Sequence, residues 1–346
     1  MRAARRRRLM QGLARISVAL AAVLSVALAG CSSTPKKAVV TPPATSPEPL
    51  VSSATPSPTP SPSATHLPPL TKTPGPTLPT LQLASPTAHP AVRVCHLAPG
   101  NQTVDGREVI LDLPATFPAP VVIDFHGGNQ SATQEHGYTG LGPLGASRGF
   151  IVVTPNGTNG LWNFSGTEPL PDDAAFTQVI ATLLAFGGCS NGRVYTAGIS
   201  DGADMAVAAA CRVAAVRAVF AVAPSITPRG GCVRKPYFEV HGTADPIVPY
   251  TGSAAGTFGD VPSEPVASRL AFWTVGCSGP SAAASPGAGT QVQRWGCTAG
   301  RTVQLDTVDG GGHTWPGAAG PEPAAGLGAR ATWSADTAAL DFFLSE

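Results

Sequence analysis

Short apolar runs alternate with helical patterns from Ala91 to Glu346, and this alternation is the feature that most constrains the fold. Several runs are apolar on both faces, as strands of a buried parallel sheet are. The predicted strands are Val109 to Leu113, Val121 to Phe125, Phe150 to Thr154, Val194 to Ala197, Ala218 to Ala223, Tyr237 to Val240 and Val303 to Val308. The alternation predicts an α/β fold, with a mostly parallel central sheet and helices on both of its faces.

Three of the intervening segments carry apolar stripes at helical spacing. The stripes are Phe176, Val179, Ile180, Leu183 and Leu184; Val266, Leu270 and Trp273; and Leu340, Phe343 and Leu344. Asp172 and Asp173 precede the first stripe, Ser263 the second and Ser334 the third. Short polar side chains at these positions can accept hydrogen bonds from the first free N–H groups of a helix, so we expect them to cap the helices.

The first residues of the chain have the pattern of a bacterial export signal. An arginine-rich start precedes an apolar run from Ile16 to Leu28, which is too short for a comfortable transmembrane helix. The run ends in Leu-Ala-Gly-Cys31, which resembles a lipobox and predicts a lipidated Cys31. An ordinary secretory signal is the alternative. We expect a signal peptide over residues 1–30 and a protein on the outer face of the cytoplasmic membrane, or extracellular.

Residues 31–90 are dominated by Pro, Ser, Thr and Ala, with too few large apolar side chains to form a core. We expect a disordered tether there and one catalytic domain over residues 91–346. The net charge of +1 includes several arginines of the export signal, so no basic surface for nucleic acid is expected. We expect a monomer.

Removing Cys31 from the seven cysteines leaves an even number, which in an exported protein indicates disulfides. The order of preference is Cys277 with Cys297, then Cys211 with Cys232, which leaves Cys95 with Cys189. Sequence alone does not fix the connectivity. A metal site is the rival explanation, but no C-x-x-C pair or histidine cluster supports it, and no metal or organic cofactor is expected.

Two segments match G-x-S-x-G, the pattern of a nucleophilic serine on a tight turn. Ser200 follows the strand Val194 to Ala197 and precedes a helical pattern, as the strand, turn and helix of a nucleophile elbow require. Ser190 stands before the same strand, away from the edge of the sheet where α/β proteins bind ligands. The sequence therefore predicts Ser200 as the nucleophile.

A serine nucleophile needs a histidine base and a carboxylate that orients the histidine. In α/β-hydrolases the order along the chain is serine, acid, histidine. His313 follows the last predicted strand in a glycine-rich loop and is the predicted base. Asp245, just after Tyr237 to Val240, is the predicted acid, with Asp309 as the alternative. His241 is expected to be a locally bonded histidine at the end of a strand.

The oxyanion that forms during acyl transfer needs fixed N–H donors. The first is expected from Asp201, the residue after the nucleophile. The second is expected from Gly128 or Asn129, in the loop after Val121 to Phe125. The His126 side chain in that loop is expected to be structural.

Four motifs in this order carry a resemblance: HGGNQ from His126, GISDG around Ser200, HGTADPIVPY from His241 and GGGHTWPG around His313. Together they resemble the polyhydroxybutyrate depolymerase and feruloyl esterase-like group of α/β-hydrolases. The resemblance implies the triad Ser200, Asp245 and His313. The group usually has Ser-Asn-Gly-Gly at the elbow, whereas this chain has Asp201 and Ala203. An extra carboxylate beside the oxyanion could lower activity or shift its pH optimum.

Only Pro224 to Lys235 connects the strand after the elbow to the strand before the acid, so no sizeable lid is expected. An open cleft suits a polymeric or aromatic ester, with Trp162 and Trp315 as aromatic walls. The sequence thus predicts a membrane-anchored serine esterase acting on a polyhydroxyalkanoate-type polyester or on a feruloyl or acetyl ester. The alternatives are a catalytically silent binding module with the same fold, and a serine peptidase.

Overall fold

A twisted sheet with a parallel centre organises the part of the chain that the computed structural model describes, residues 95–164, 172–228, 230–254 and 262–346. Its ten strands are β1 (Gly100–Val104), β2 (Arg107–Asp112), β3 (Ala119–Phe125), β4 (Ile151–Pro155), β5 (Ser190–Ile199), β6 (Val216–Val222), β7 (Tyr237–Gly242), β8 (Ser281–Ala282), β9 (Thr290–Gly296) and β10 (Thr302–Val308). They lie in the order β1-β2-β4-β3-β5-β6-β7-β10-β9-β8. The central strands are parallel to one another, and they are β4, β3, β5, β6, β7 and β10. The strand pairs toward both edges of the sheet are antiparallel.

The helices divide between two hydrophobic cores, one on each face of the sheet. They are α1 (Ala132–Thr139), α2 (Leu141–Ser147), α3 (Asp173–Phe186), α4 (Asp201–Arg212), α5 (Val266–Trp273) and α6 (Ala335–Ser345). One core contains Phe176 of α3, Met205 of α4 and Trp273 of α5. The other contains Leu141 of α2 and Phe343 of α6. This α/β-hydrolase arrangement is the predicted one, with no large lid evident in the described residues.

All seven predicted strands are present, and so are the three predicted helices. Asp172 caps α3 by accepting from Ala174 N and Ala175 N, and Ser334 caps α6. The prediction for Ser263 was wrong, because α5 begins after Pro265. Ser263 instead exchanges two backbone hydrogen bonds with Ser253.

The elements that the sequence did not predict are α1, α2 and the edge strands β1, β8 and β9. The edge strands are largely exposed, so they lack the continuous apolar runs of the central strands. None of the helices among the described residues has the length and apolarity needed to cross a membrane. Cys31, the expected signal peptide and the whole segment before Cys95 lie outside the described residues.

Three disulfides join the same pairs that the sequence favoured: Cys95–Cys189, Cys211–Cys232 and Cys277–Cys297. The first joins residues 94 positions apart, whereas the others span 21 and 20 positions. Cys95–Cys189 therefore fastens the start of the described chain to the residue just before β5, the strand that leads to Ser200.

Replacing Cys95 and Cys189 together by serine is expected to lower the free energy of unfolding by about 2–5 kcal/mol. A cross-link that closes a long loop removes more conformational freedom from the unfolded chain than one that closes a short loop. Urea unfolding monitored by circular dichroism measures the change. The matched double variant of Cys277 and Cys297 should lose less stability, and an equal or larger loss there would contradict the loop-length argument.

Candidate active site

Ser200 sits on a strained turn between β5 and α4. Its φ of 58° and ψ of −125° are rare for a residue with a side chain, and such strain is typical of a nucleophile elbow. Its N–H donates to Val222 O at 2.9 Å, which ties the turn to β6. The turn lies at the carboxyl end of the parallel strands, where α/β proteins place their ligands.

The glycines on either side of Ser200 allow this turn to pack against β3. A Cβ added at Gly202 would lie 2.0 Å from Phe125 O and 2.5 Å from His126 O. A Cβ added at Gly198 would lie 2.5 Å from Gly202 O. These are backbone atoms, which cannot move aside by changing a rotamer, so the elbow requires glycine at both positions.

Gly202→Ala is expected to lower the free energy of unfolding by about 3 kcal/mol or more, because the methyl group overpacks the contact between the elbow and β3. The urea midpoint of the purified variant measures this loss. Gly137→Ala is the control, since a Cβ there meets open space within α1 and alanine favours a helix. Equal stability of Gly202→Ala and the unmodified protein would show that the contact is not tight.

His313 and Asp245 form a hydrogen-bonded pair at the same edge of the sheet. His313 Nδ1 lies 2.8 Å from Asp245 Oδ2. The backbone N–H of His313 donates to the backbone oxygen of Leu327 at 2.6 Å, which fixes the glycine-rich loop. His313 and Ser200 line one cavity. The three residues follow the chain order serine, acid, histidine, and they are grouped at one site as a serine, histidine and aspartate mechanism requires.

The Asp245 carboxylate is held from two sides. Its Oδ1 accepts from the N–H groups of Ile247 and Val248, both at 2.8 Å, which leaves Oδ2 for His313. Burial acts to raise the pKa of Asp245, but the hydrogen bond and charge of His313 outweigh burial and lower the pKa. Asp245 is therefore held ionised at neutral pH, as an orienting acid requires. The alternative acid, Asp309, is exposed and accepts from Gln291 Nε2.

A buried ionic network that the sequence did not predict supports the Asp245 loop. His241 Nε2 lies 2.8 Å from Val248 O, and its Nδ1 lies 3.0 Å from the Arg269 guanidinium. Arg269 also pairs with Glu239 at 2.7 Å, and although burial raises the pKa of Glu239, the Arg269 charge lowers it to about 2. His241 thus has the structural role that the sequence predicted. A charged residue within an otherwise apolar strand, Glu239, is the sequence feature that could have indicated this network.

The structure separates the two candidates for the second oxyanion donor. The Asn129 N–H donates to Gly160 O at 2.7 Å, so this donor is occupied and the prediction for Asn129 is wrong. Gly128 lies beside Asp201 and lines the cavity. The N–H of Asp201 is the first of α4, and the first N–H groups of a helix have no partner within the helix. Asp201 and Gly128 are therefore the expected donors.

His126 holds the loop that carries Gly128. Its Nε2 accepts from Gly157 N at 2.9 Å, and its Nδ1 lies 2.8 Å from Gly127 O. Burial lowers the pKa of His126, so the ring is neutral and acts as a structural bridge. This agrees with its predicted structural role.

The two tryptophans predicted as cavity walls lie in the core instead. Trp162 packs edge-on against Phe125, and its Nε1 donates to His126 O at 2.7 Å. Trp315 is fully buried, and its Nε1 donates to Asp336 Oδ1 at 2.8 Å. Buried indoles need a partner for the N–H group, and both found one inside the protein. The prediction that they contact substrate was wrong.

The cavity has a volume of about 280 Å³ and a mixed lining. Leu161, Phe164, Ile247, Val248, Pro323 and Leu327 supply apolar surface. Asp201, Asp204, Ser225 and Ser263 supply polar side chains, and of these four the sequence predicted a role in the site only for Asp201. In the part of the chain that the structure describes, no group of three or more His, Cys, Asp or Glu residues is arranged to hold a metal ion.

The chain is similar in sequence to several proteins named as esterases, although no family model matches it. It is 29% identical to NocK, a candidate esterase of Nocardia uniformis subsp. tsuyamanensis, over 314 residues, which cover 75% of this chain and 90% of NocK. It is 30% identical to feruloyl esterase D of Neurospora crassa over 183 residues, which cover 51% of this chain and 58% of that esterase. Among solved structures, an acetyl xylan esterase from Aspergillus awamori aligns with a TM-score of 0.49 at 14% identity, covering 69% of this chain and 94% of that one.

The chain thus spans nearly all of NocK but less than two thirds of feruloyl esterase D. The four sequence motifs, the parallel sheet and these relatives agree, and they support hydrolysis of carboxylic esters. In sequence, the chain thus resembles the feruloyl esterase-like group of α/β-hydrolases.

Proposed function

We propose that the protein is a serine esterase that works through an acyl-enzyme. The observation that carries this proposal is the His313–Asp245 hydrogen bond of 2.8 Å beside a cavity that Ser200 also lines. A strained serine, an oriented histidine and an ionised carboxylate together make the activated nucleophile that ester hydrolysis needs.

In the first half of the reaction, Ser200 Oγ attacks the ester carbonyl carbon and His313 Nε2 accepts the hydroxyl proton. Asp245 accepts the Nδ1–H of His313, which keeps the ring in the tautomer whose Nε2 is free to act as a base. The N–H groups of Asp201 and Gly128 stabilise the negative charge on the carbonyl oxygen. His313 then gives its proton to the leaving alcohol as the C–O bond breaks.

In the second half, water replaces the alcohol. His313 takes a proton from the water, and the resulting hydroxide attacks the acyl carbon. The bond between the acyl group and Ser200 breaks, the serine recovers its proton from His313, and the acid is released. These steps use only side chains and N–H groups of this chain.

The substrate we propose is a polyhydroxyalkanoate-type polyester or a feruloyl or acetyl ester. The short connection between β6 and β7 leaves the cavity without a large lid in the described residues. Its apolar side can receive an acyl chain or an aromatic ring, and a polymer can enter an open site from the side.

We also propose that the enzyme is exported and anchored by a lipid on Cys31, with residues 31–90 as a tether. The disulfides of the domain suit an oxidising compartment. Membrane fractionation of cells that express the full chain or Cys31→Ala tests the anchor. The variant should leave the membrane fraction, and retention there would contradict the proposal.

The test of the enzymatic function is a substrate panel with the purified protein. It contains p-nitrophenyl acetate and butyrate, methyl ferulate, acetylated xylan and polyhydroxybutyrate. We expect hydrolysis of the p-nitrophenyl esters and of at least one natural ester, with a fluorophosphonate adduct on the peptide that contains Ser200. A protein that turns over none of these esters and takes up no fluorophosphonate would refute the proposal.

A further inference from the structure

The charged side chains among the described residues that line the cavity are all carboxylates. Asp201 and Asp204 both line it, and the described lining residues include no lysine or arginine. Asp245 is hydrogen-bonded to His313 and is not among the residues that line the cavity. The cavity therefore presents excess negative charge beside the nucleophile.

Asp201 is the carboxylate next to the reacting atoms. Its Oδ2 accepts from Trp162 N at 3.0 Å, and its side chain lies beside Gly128. Burial, with repulsion from Asp204, raises the pKa of Asp201 to about 7. A cation in the cavity would relieve both the burial penalty and this repulsion.

Asp204 sets the direction of the Ser225 hydroxyl. Its Oδ1 accepts from the N–H groups of Ser225 and Ile226 at 2.8 and 3.1 Å, and its Oδ2 accepts the Ser225 hydroxyl proton. Burial raises the pKa of Asp204 to about 6 even with these donors. Because the Ser225 proton is committed to Asp204, the oxygen of this cavity-lining serine can only accept a further hydrogen bond.

Ser263 supplies an independent indication that a ligand belongs here. The residue lines the cavity and is 8% exposed, and its Oγ is buried without a hydrogen-bond partner among the described residues. A buried hydroxyl without a partner is costly, so a bound group that pairs with it is favoured. Ser263 is held in place by its two backbone hydrogen bonds to Ser253.

The chemistry that fits these groups is a donor with a positive charge. An ammonium has three N–H donors and no acceptor, which matches the carboxylate of Asp201 and the oxygens of Ser225 and Ser263. A carboxylate on the substrate would be repelled by Asp201 and Asp204. A neutral hydroxyl could pair with one acceptor but would leave the negative charge unbalanced.

We propose that the polar side of this cavity, formed by Asp201, Asp204, Ser225 and Ser263, binds an ammonium group carried by the ester substrate. This inference rests on the proposed esterase function and narrows its substrate class, since it favours an ester that carries an ammonium over the neutral polyester and feruloyl esters. The apolar side of the cavity then receives the uncharged part of the same molecule.

The test compares three p-nitrophenyl phenylacetates that differ only in the para substituent: aminomethyl, ethyl or carboxymethyl. With the unmodified protein, kcat/KM for the aminomethyl ester should exceed that for the ethyl ester by about tenfold, and the carboxymethyl ester should be the poorest. Asp201→Asn should bring the ratio of aminomethyl to ethyl ester close to one. Ser263→Ala should lower the ratio about threefold. Asp309→Asn removes an exposed carboxylate elsewhere and should leave the ratio unchanged.

The same ratio should rise between pH 5.5 and pH 8. Below a pKa of about 7 Asp201 is protonated and neutral, and above it the side chain gains the charge that attracts the ammonium. The titratable groups near Asp201 are Asp204 on α4, Asp173 at the start of α3 and His313 in its loop. A change in the catalytic steps that both esters share affects their rates alike, so it cancels in the ratio.

Hydrolysis of the ethyl ester at a kcat/KM equal to or above that of the aminomethyl ester would overturn the ammonium proposal and leave the esterase function intact. If none of the three esters is hydrolysed, binding is read from thermal unfolding with benzylammonium or benzyl alcohol. A rise in Tm with benzylammonium alone, lost in Asp201→Asn, supports the site. Equal shifts with both compounds, or no shift, overturn it.

Discussion

Ser200→Ala is expected to lower kcat/KM for p-nitrophenyl acetate by at least about 10⁴-fold. In the proposed mechanism the hydroxyl oxygen forms the acyl-enzyme, so without it His313 has no nucleophile to activate. The oxyanion donors and the cavity remain in place, which is why a small residual rate is expected. Steady-state kinetics with purified protein measures the loss, and a thermal unfolding curve shows that the variant is folded.

Ser190→Ala is the matched control for this experiment. Ser190 belongs to the other G-x-S-x-G segment, but it begins β5, whereas Ser200 follows the end of that strand. Its Oγ accepts from Gly192 N at 3.0 Å, a local contact far from the chemistry. We expect kcat/KM to stay within about twofold of the unmodified protein. Turnover that survives in Ser200→Ala, or that falls equally in both variants, would remove Ser200 from the mechanism.

The central strands and the order of the triad were predictable because both depend on local patterns. An apolar run bounded by turn residues indicates a buried strand, and residues that follow such strands meet at one edge of a parallel sheet. By this logic the sequence alone predicts Ser200, Asp245 and His313 at the same edge of the sheet. The structure adds the bond between His313 and Asp245, while their catalytic roles stay a prediction.

The details that sequence missed depend on contacts between distant residues. Nothing near Asn129 in the sequence shows that its N–H bonds to Gly160. Trp315 is only two residues from His313, yet its indole turns away from the cavity to reach Asp336. Ser263 was predicted as a helix cap, but its backbone pairs with Ser253 and the residue lines the cavity. In each case a non-local partner decided the role of the side chain.

Asp245→Asn is expected to lower kcat/KM by about 10⁴-fold while leaving the fold intact. The side-chain carbonyl of asparagine can accept from Ile247 N and Val248 N, as Oδ1 does now, which directs the amide NH₂ toward His313. His313 Nδ1 must then act as an acceptor, so the proton moves to Nε2. A protonated Nε2 cannot take the proton of Ser200.

The experiment compares kcat/KM and thermal unfolding of Asp245→Asn with those of Asp309→Asn, which makes the same chemical change at the alternative acid. Asp309 is exposed and bonds to Gln291, so its variant should keep kcat/KM within about twofold. A large loss in Asp309→Asn with near-normal turnover in Asp245→Asn would reassign the acid. The 2.8 Å bond between His313 and Asp245 argues for the opposite result, because the rate of a serine hydrolase depends on which tautomer its histidine holds.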